Sequence, residues 1–339
     1  MVLPVSVLFS VFSILFFVSK REQRAKSLLF PLLLIWLALA LIATFRPEYM
    51  ADRGNYIAFW QGWGGERFEI GFATIADVLR RFTVNEYSFL FVFAALSIAL
   101  KLSAIYRITP LIWSSLLIYI VNIFILHDMI QMRCAIASGL LLHVVYYLGN
   151  RDSKRFLLTS AVALLFHYSA IIILPLWLLS VERSYKYFYI GLIVLSYVVG
   201  GVLPIASLLQ YLPIEGVQNL WAMYEYTVGD EINIFNAMQL GRIAICVFLL
   251  LFIDKISLYN KYAILMAKIY AISLASLVLF SSVPVIAFRV SELYQVVEIV
   301  LIPMIAYAFN GKVLLKRMAV WVIGLSFLLM NIYYLEFLK

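Results

Sequence analysis

The residues in this chain best suited to anion chemistry are arginines: fifteen of the 26 basic residues are Arg. Arg46, Arg53, Arg67, Arg80, Arg81, Arg133, Arg242 and Arg289 fall in segments where the C-terminal Lys339 is the sole lysine. A guanidinium stays charged and donates parallel hydrogen bonds from a planar fork, which matches phosphate, whereas lysine is a hydrated point charge. This sorting points to a phosphate or pyrophosphate site. Histidine is scarce, at His127, His143 and His167. His167 lies in Phe166-His167-Tyr168-Ser169, where a neutral imidazole could take a proton from a hydroxyl, and Asp52 and Glu69 are carboxylate alternatives for the same task.

The elements that must position these groups are membrane helices. Over 339 residues, 65% are hydrophobic and 13% charged, with a mean hydropathy of +1.00, a composition that describes a polytopic membrane protein. Apolar runs long enough to cross a hydrocarbon core of about 30 Å recur along the chain. They predict an all-α fold of about ten spans, near 2–18, 27–45, 87–106, 110–126, 129–148, 187–208, 236–253, 262–283, 291–309 and 318–335. Residues 1–339 are expected to form a single integral membrane domain.

Lys- and Arg-rich loops at 19–26, around Lys101 to Arg107, 149–155, 254–261 and 310–317 are placed in the cytoplasm by the positive-inside rule. The arginine set then faces outward. The apolar segment 156–179 breaks the count, because basic residues flank both of its ends: Arg151, Lys154 and Arg155 before it, Arg183 and Lys186 after it. Two cytoplasmic flanks require that the segment not cross once. It is predicted to be a re-entrant helical pair broken near His167, with Pro175 in the returning arm.

Two outer loops, 46–86 and 209–235, have the length and makeup of a substrate face. The first mixes acids, arginines and aromatics, and the second holds Trp221 and Tyr224. Aromatic faces stack on sugar rings, and such residues also populate the interfacial belt of any membrane protein. Arg133 and Arg289 lie at or just inside the outer ends of predicted spans, where an unpaired charge is costly, so both are assigned to an anion site. Arg53 and Arg242 are further candidates. The competing reading pairs these arginines with nearby acids, Arg53 with Asp52 or Glu48 and Arg289 with Glu292, and makes 73–82, with Arg80 and Arg81, an amphipathic surface helix. His127, Asp128 and Gln131 form a polar cluster ahead of Arg133 and are assigned with Tyr56, Trp221 and Tyr224 to a glycan. His143 reads as a packed residue.

Several chemistries are set aside. Cys134 and Cys246 fall within predicted spans, which suggests neither a disulfide nor a thiolate metal site. No Walker or Rossmann glycine pattern occurs, so direct nucleotide use is not indicated. The net charge of +8 follows from topology and implies no nucleic acid. The inner halves of the predicted spans read as nearly free of ionisable groups, which disfavours a charged path for a flipped lipid.

Four blocks carry a family resemblance: Asp52-Arg53-Gly54-Asn55-Tyr56 with Phe59, Phe68-Glu69-Ile70-Gly71-Phe72, Gln131-Met132-Arg133-Cys134-Ala135-Ile136-Ala137, and Phe166-His167-Tyr168-Ser169-Ala170. Their order and spacing resemble the EpsG family of Wzy-type polysaccharide polymerases across roughly residues 45–180, and Arg289 resembles a late family arginine. Cys134 stands where that pattern has glutamine, and Gln131 lies upstream instead. The resemblance implies a GT-C-like glycosyltransferase in the bacterial inner membrane with its site facing the periplasm. Its substrate would be an undecaprenyl-pyrophosphate-linked oligosaccharide, and membrane lipid, a chain-length regulator and a flippase would be its companions. No cofactor and no metal are called for. An O-antigen ligase, a lipid-linked oligosaccharide flippase and a membrane acyltransferase remain the alternatives.

Overall fold

The computed structural model describes residues 2–19, 26–63, 68–202 and 232–333, and the regular structure among them is helical. Arg67, Trp221, Tyr224 and most of the predicted loop 209–235 lie outside the described residues. The chain packs as two compact units, Met1–Trp177 with Glu298–Lys339, and Leu178–Val297.

The first unit contains α1 (Val2–Val18), α2 (Leu29–Thr44), α3 (Arg53–Trp60), α4 (Ile70–Arg80), α5 (Glu86–Ile108), α6 (Ile112–Val121), α7 (Met132–Gly149) and α8 (Ser153–Phe166). Helix α2 packs on α5, α5 on α7 and α7 on α8. The α5–α7 approach depends on Gly139: a Cβ there would lie 2.8 Å from the Leu100 Cβ. Small residues let helices approach closely where lipid offers little hydrophobic drive for association. Trp36 Nε1 donates to the Ala95 carbonyl at 2.7 Å and ties α2 to α5. Arg317 donates to the Phe17 carbonyl at 2.9 Å and to the Ser19 carbonyl, closing the C-terminus of α1.

The second unit contains α9 (Lys186–Val202), α10 (Ala237–Leu251), α11 (Ile253–Ser257), α12 (Ala263–Leu279) and α13 (Pro284–Gln295). Nearly every residue of α12 is buried, and α9, α10 and α13 pack around it. Asp254 accepts from Ser184 Oγ at 3.1 Å and Lys186 Nζ at 2.5 Å. The basic flank at 183–186 and the loop beginning at 254 therefore lie on the same face of this unit, as two loops on one side of a membrane must.

Glu86–Ile108, Met132–Gly149 and Val313–Tyr333 are long and apolar enough to cross a membrane, and Ile112–Val121 with Phe124–Ile130, bent by 62°, would form a fourth span. Among the described residues six shorter apolar helices accompany them. The predicted boundaries of α1 match the observed ones, and those of α2 and α5 fall within about two residues. The run expected at 291–309 is not one helix. Pro284 starts α13 early, α13 stops at Gln295, and short turns follow at Glu298–Leu301, Ile302–Met304 and Ile305–Ala308.

A second correction concerns Lys101, expected in a cytoplasmic loop. It lies inside α5, fully buried, so the interior is not as free of charge as the sequence suggested. Lys268 and Glu298 are also buried in helices.

The segment 156–179 doubles back. Helix α8 ends at Phe166, His167 is extended (φ −157°, ψ 114°), and a 3₁₀ helix runs from Tyr168 to Leu178 through Pro175. The far ends meet: the Phe156 and Trp177 rings are 5.0 Å apart, and the Arg151 guanidinium lies 5.8 Å from the Trp177 ring. His167 is the tip of this hairpin.

Candidate functional site

The carboxylate of Glu69 is where the separated sequence blocks converge. Glu69 takes the cap position before α4 with an extended backbone (φ −60°, ψ 146°). Its Oε2 accepts from Arg133 Nη1 at 2.9 Å. Its Oε1 lies 3.4 Å from His167 Nδ1 and accepts from the Tyr168 backbone N–H at 3.4 Å. The first N–H groups of a helix have no internal partner and favour negative charge, so the start of the 3₁₀ helix suits a carboxylate. At 3.4 Å the imidazole contact is a charge-orienting approach rather than an aligned hydrogen bond, and among the described residues Nδ1 makes no other.

The spacing Glu69-Ile70-Gly71 has a steric reason. A Cβ on Gly71 would sit 2.7 Å from the Leu165 carbonyl oxygen and 3.0 Å from the Leu165 Cβ. Only glycine lets the first turn of α4 lie against the last turn of α8, and that contact sets Glu69 beside His167.

Arg133 is the second residue of α7. Its guanidinium carbon lies 4.7 Å from the centre of the Phe68 ring, a cation–π arrangement. The Tyr56 hydroxyl approaches the same guanidinium. Phe68 in turn packs on Phe59, Tyr56 and Phe72, with ring centroids 4.3, 6.0 and 5.3 Å away. Arg133 therefore has Nη1 on Glu69 and one face on an aromatic cluster, while its buried Nε makes no hydrogen bond among the described residues.

Burial alone would raise the Glu69 carboxyl, but the His167 imidazole and the Arg133 guanidinium outweigh it and hold its pKa down to about 2. Burial pushes the Tyr56 phenol up to about 12, leaving it a neutral donor.

The other predicted residues are distributed as follows. Asp52 is exposed at the start of α3 with φ 62°, a left-handed conformation that Asp adopts more readily than most residues. Arg53 is buried and paired with Glu86 at 3.2 Å and Glu48 at 3.9 Å, so its pairing with Glu48 is realised. Arg80, on the amphipathic helix expected at 73–82, donates through Nε to the Trp60 carbonyl at 3.1 Å and through Nη2 to the Phe59 carbonyl at 2.6 Å. It also pairs with Asp77. It closes the end of α3 and is a structural residue. Arg242, half-buried on α10, and Arg289, exposed on α13, lie in the second unit.

His127 and Asp128 do not reach a surface where a glycan could bind. Both are fully buried in the turn Phe124–Ile130, and the Asp128 carboxylate already accepts from Ser97, Lys101 and Tyr119. Their assignment to sugar is corrected for that reason. Gln131 is half-buried at the break before α7. His143 contacts Ser103 Oγ and the Leu100 carbonyl, each at 3.1 Å, as a packed residue would. The residues sequence reasoning passed over are Lys101, which looked like loop charge, and Phe68, which stood in a block with no role attached.

The chain is 24% identical over 312 residues to the amylovoran biosynthesis protein AmsC of Erwinia amylovora, covering 85% of this chain and 82% of that protein. No solved structure matches the chain. The EpsG family matches residues 28–339, which extends the likeness seen in four blocks to nearly the whole sequence. The chain belongs to the EpsG family.

Proposed function

We propose that this protein is a polysaccharide polymerase of the membrane, a GT-C-like glycosyltransferase. It would transfer a growing glycan from undecaprenyl pyrophosphate onto a hydroxyl of a new lipid-linked repeat unit at the periplasmic face. The observation that carries the reading is the placement of Arg133 and His167 on the two oxygens of one carboxylate, Glu69. The family and the relative's role in amylovoran biosynthesis support the substrate class.

The reaction breaks the bond between the anomeric carbon and the pyrophosphate oxygen and forms one to the acceptor hydroxyl oxygen. With Nδ1 turned toward Glu69, His167 Nε2 is left to take the hydroxyl proton as the acceptor attacks. Glu69 stabilises the imidazolium that results, as the buried carboxylate does in a triad. The departing pyrophosphate keeps the bonding electron pair, and Arg133 opposes that developing charge with donors fixed before the reaction begins. Tyr56 and Phe68 hold the guanidinium in place.

The test is purified protein in liposomes with undecaprenyl-pyrophosphate-linked repeat units, the products being separated by size beside a His167→Ala sample. A ladder at repeat-unit spacing with wild type and none with the variant is expected. Folded wild-type protein that moves finished chains to another acceptor, or only moves lipid-linked units across the bilayer, would replace this reading with the ligase or the flippase.

A further inference from the structure

A fully buried ion pair lies between α5 and the turn Phe124–Ile130 that precedes Arg133. Lys101 Nζ on α5 donates to Asp128 Oδ1 at 2.8 Å and to the Ala135 carbonyl at 2.9 Å. Asp128 also accepts from Ser97 Oγ at 2.6 Å and from the Tyr119 hydroxyl at 2.8 Å. Removing two charges from water costs several kcal/mol per ion, and replacing such a pair by apolar side chains is often neutral or stabilising. Stability is therefore a poor reason for its presence.

Its placement suggests another. The chain leaves helical geometry at Asn122 (φ −129°, ψ −78°), winds as a wide π turn over Phe124–Ile130, and restarts as α7 after Gln131 (φ −100°, ψ 68°). Arg133 is the second residue of the restarted helix. Lys101 bridges the two sides of the break, holding Asp128 before it and the Ala135 carbonyl after it. Arg46 holds the same stretch from α2's end, donating to the Met129 carbonyl at 2.6 Å and contacting Met132 Sδ at 2.9 Å. His127 Nδ1 meets Ser138 Oγ at 3.0 Å and completes the brace. Irregular backbone among apolar helices needs such donors for its carbonyls.

We propose that Lys101 and Asp128 are positioning residues for Arg133: the ion pair fixes the helix restart that aims the guanidinium at the developing charge of the leaving pyrophosphate. This rests on the polymerase reading, but it concerns the geometry of one arginine. A misplacement of about 1 Å at a reacting centre can cost about a hundredfold in rate.

The test is a coupling measurement in the liposome assay with Lys101→Met/Asp128→Asn, which removes both charges at similar volume, in wild-type and Arg133→Lys backgrounds. In the wild-type background the pair of substitutions should lower kcat about tenfold and change the donor KM less than about twofold, because the donor lacks the extra charge that appears on the leaving group. In the Arg133→Lys background kcat should change less than about threefold. Equal losses in both backgrounds, or a loss confined to KM, would overturn the proposal.

A readout without turnover is the affinity for farnesyl pyrophosphate, expected to fall about tenfold in the wild-type background and hardly at all in Arg133→Lys. That arm reads the positioning even if wild type makes no ladder, in which case it is the polymerase reading that fails. Should the double variant not fold, Ser97→Ala/Tyr119→Phe keeps the ion pair, removes two donors to Asp128 and is expected to show the same coupling on a smaller scale. Failure of both variants to yield folded protein would assign the network to the scaffold and overturn the proposal.

Discussion

Glu69 and Arg133 meet through a 2.9 Å contact between Oε2 and Nη1, although an amphipathic helix, a membrane-length helix and the bent α6 region separate them in the chain. Neither side chain caps its own helix. Glu69 precedes α4 without capping it through its side chain, and Arg133 is a cation in the first turn of α7, where the helix dipole disfavours one. What the pair does is place a fixed positive fork and a charged carboxylate beside the hairpin tip that carries His167.

The depressed Glu69 pKa has a definite sign. A carboxyl lowered from 4.5 to about 2 contributes stability that is present above about pH 4.5 and is lost as pH falls through about 2. Glu69 is thus ionised across pH 4–8, and an acid limb in a pH–rate profile over that range would belong to another group. Glu69→Gln should lower turnover by about ten- to a hundredfold, with an acid limb that survives in the variant. Loss of that limb in Glu69→Gln, measured across pH 4–8 in liposomes, would show that Glu69 itself was the titrating base.

Gly71→Ala should be damaging and Gly54→Ala should not. The first puts a methyl 2.7 Å from the Leu165 carbonyl, while a Cβ on Gly54 meets nothing within 4 Å. Overpacking of this kind costs about 1–3 kcal/mol. Thermal unfolding in detergent together with the polymer yield of both variants decides the matter. Equal behaviour would mean that the α4–α8 approach is not tight.

Two arginines that look alike in the sequence should separate in the laboratory. Arg133→Lys keeps the charge but loses the planar fork, and polymer should fall by more than about tenfold with the melting temperature nearly unchanged. Arg80→Lys loses two backbone contacts at the end of α3 and should cost about 1 kcal/mol of stability, with kcat per folded molecule retained.

The hairpin makes a topological prediction. Phe156 and Trp177 pack together, so the chain enters and leaves the segment 156–179 at one end, and that end carries Arg151, Lys154 and Arg155. Reporter fusions after Arg151 and after Arg183 should both read as cytoplasmic. A periplasmic reading after Arg183 would mean that the hairpin does not return across the membrane.

The legible part of the fold was the helices, because an apolar run announces a buried or lipid-facing helix whatever its neighbours are. Val2–Val18 and the break at His167 could both be read from composition and flanking charge. Partners could not. Periodicity and hydropathy do not say that Lys101 turns inward to Asp128, and counting it with Arg107 placed it in a loop. The same blindness assigned Asp128 to a glycan and left Arg53 a candidate anion ligand, whereas Glu86 and Glu48 already pair with that arginine. Of the site, the family blocks marked Glu69, Arg133 and His167. That Arg133 and His167 share the Glu69 carboxylate depends on the Gly71–Leu165 approach: the Glu69-Ile70-Gly71 spacing shows the glycine but not that Leu165 is its neighbour.

The most direct test of the central claim is the rate of repeat-unit addition in liposomes by wild type, Glu69→Gln, His167→Ala and the double variant. If Glu69 acts through His167, each single substitution slows addition by at least about tenfold and the double variant is no slower than His167→Ala alone. Independent, multiplying losses, or a His167→Ala protein that builds polymer at the wild-type rate, would contradict the account.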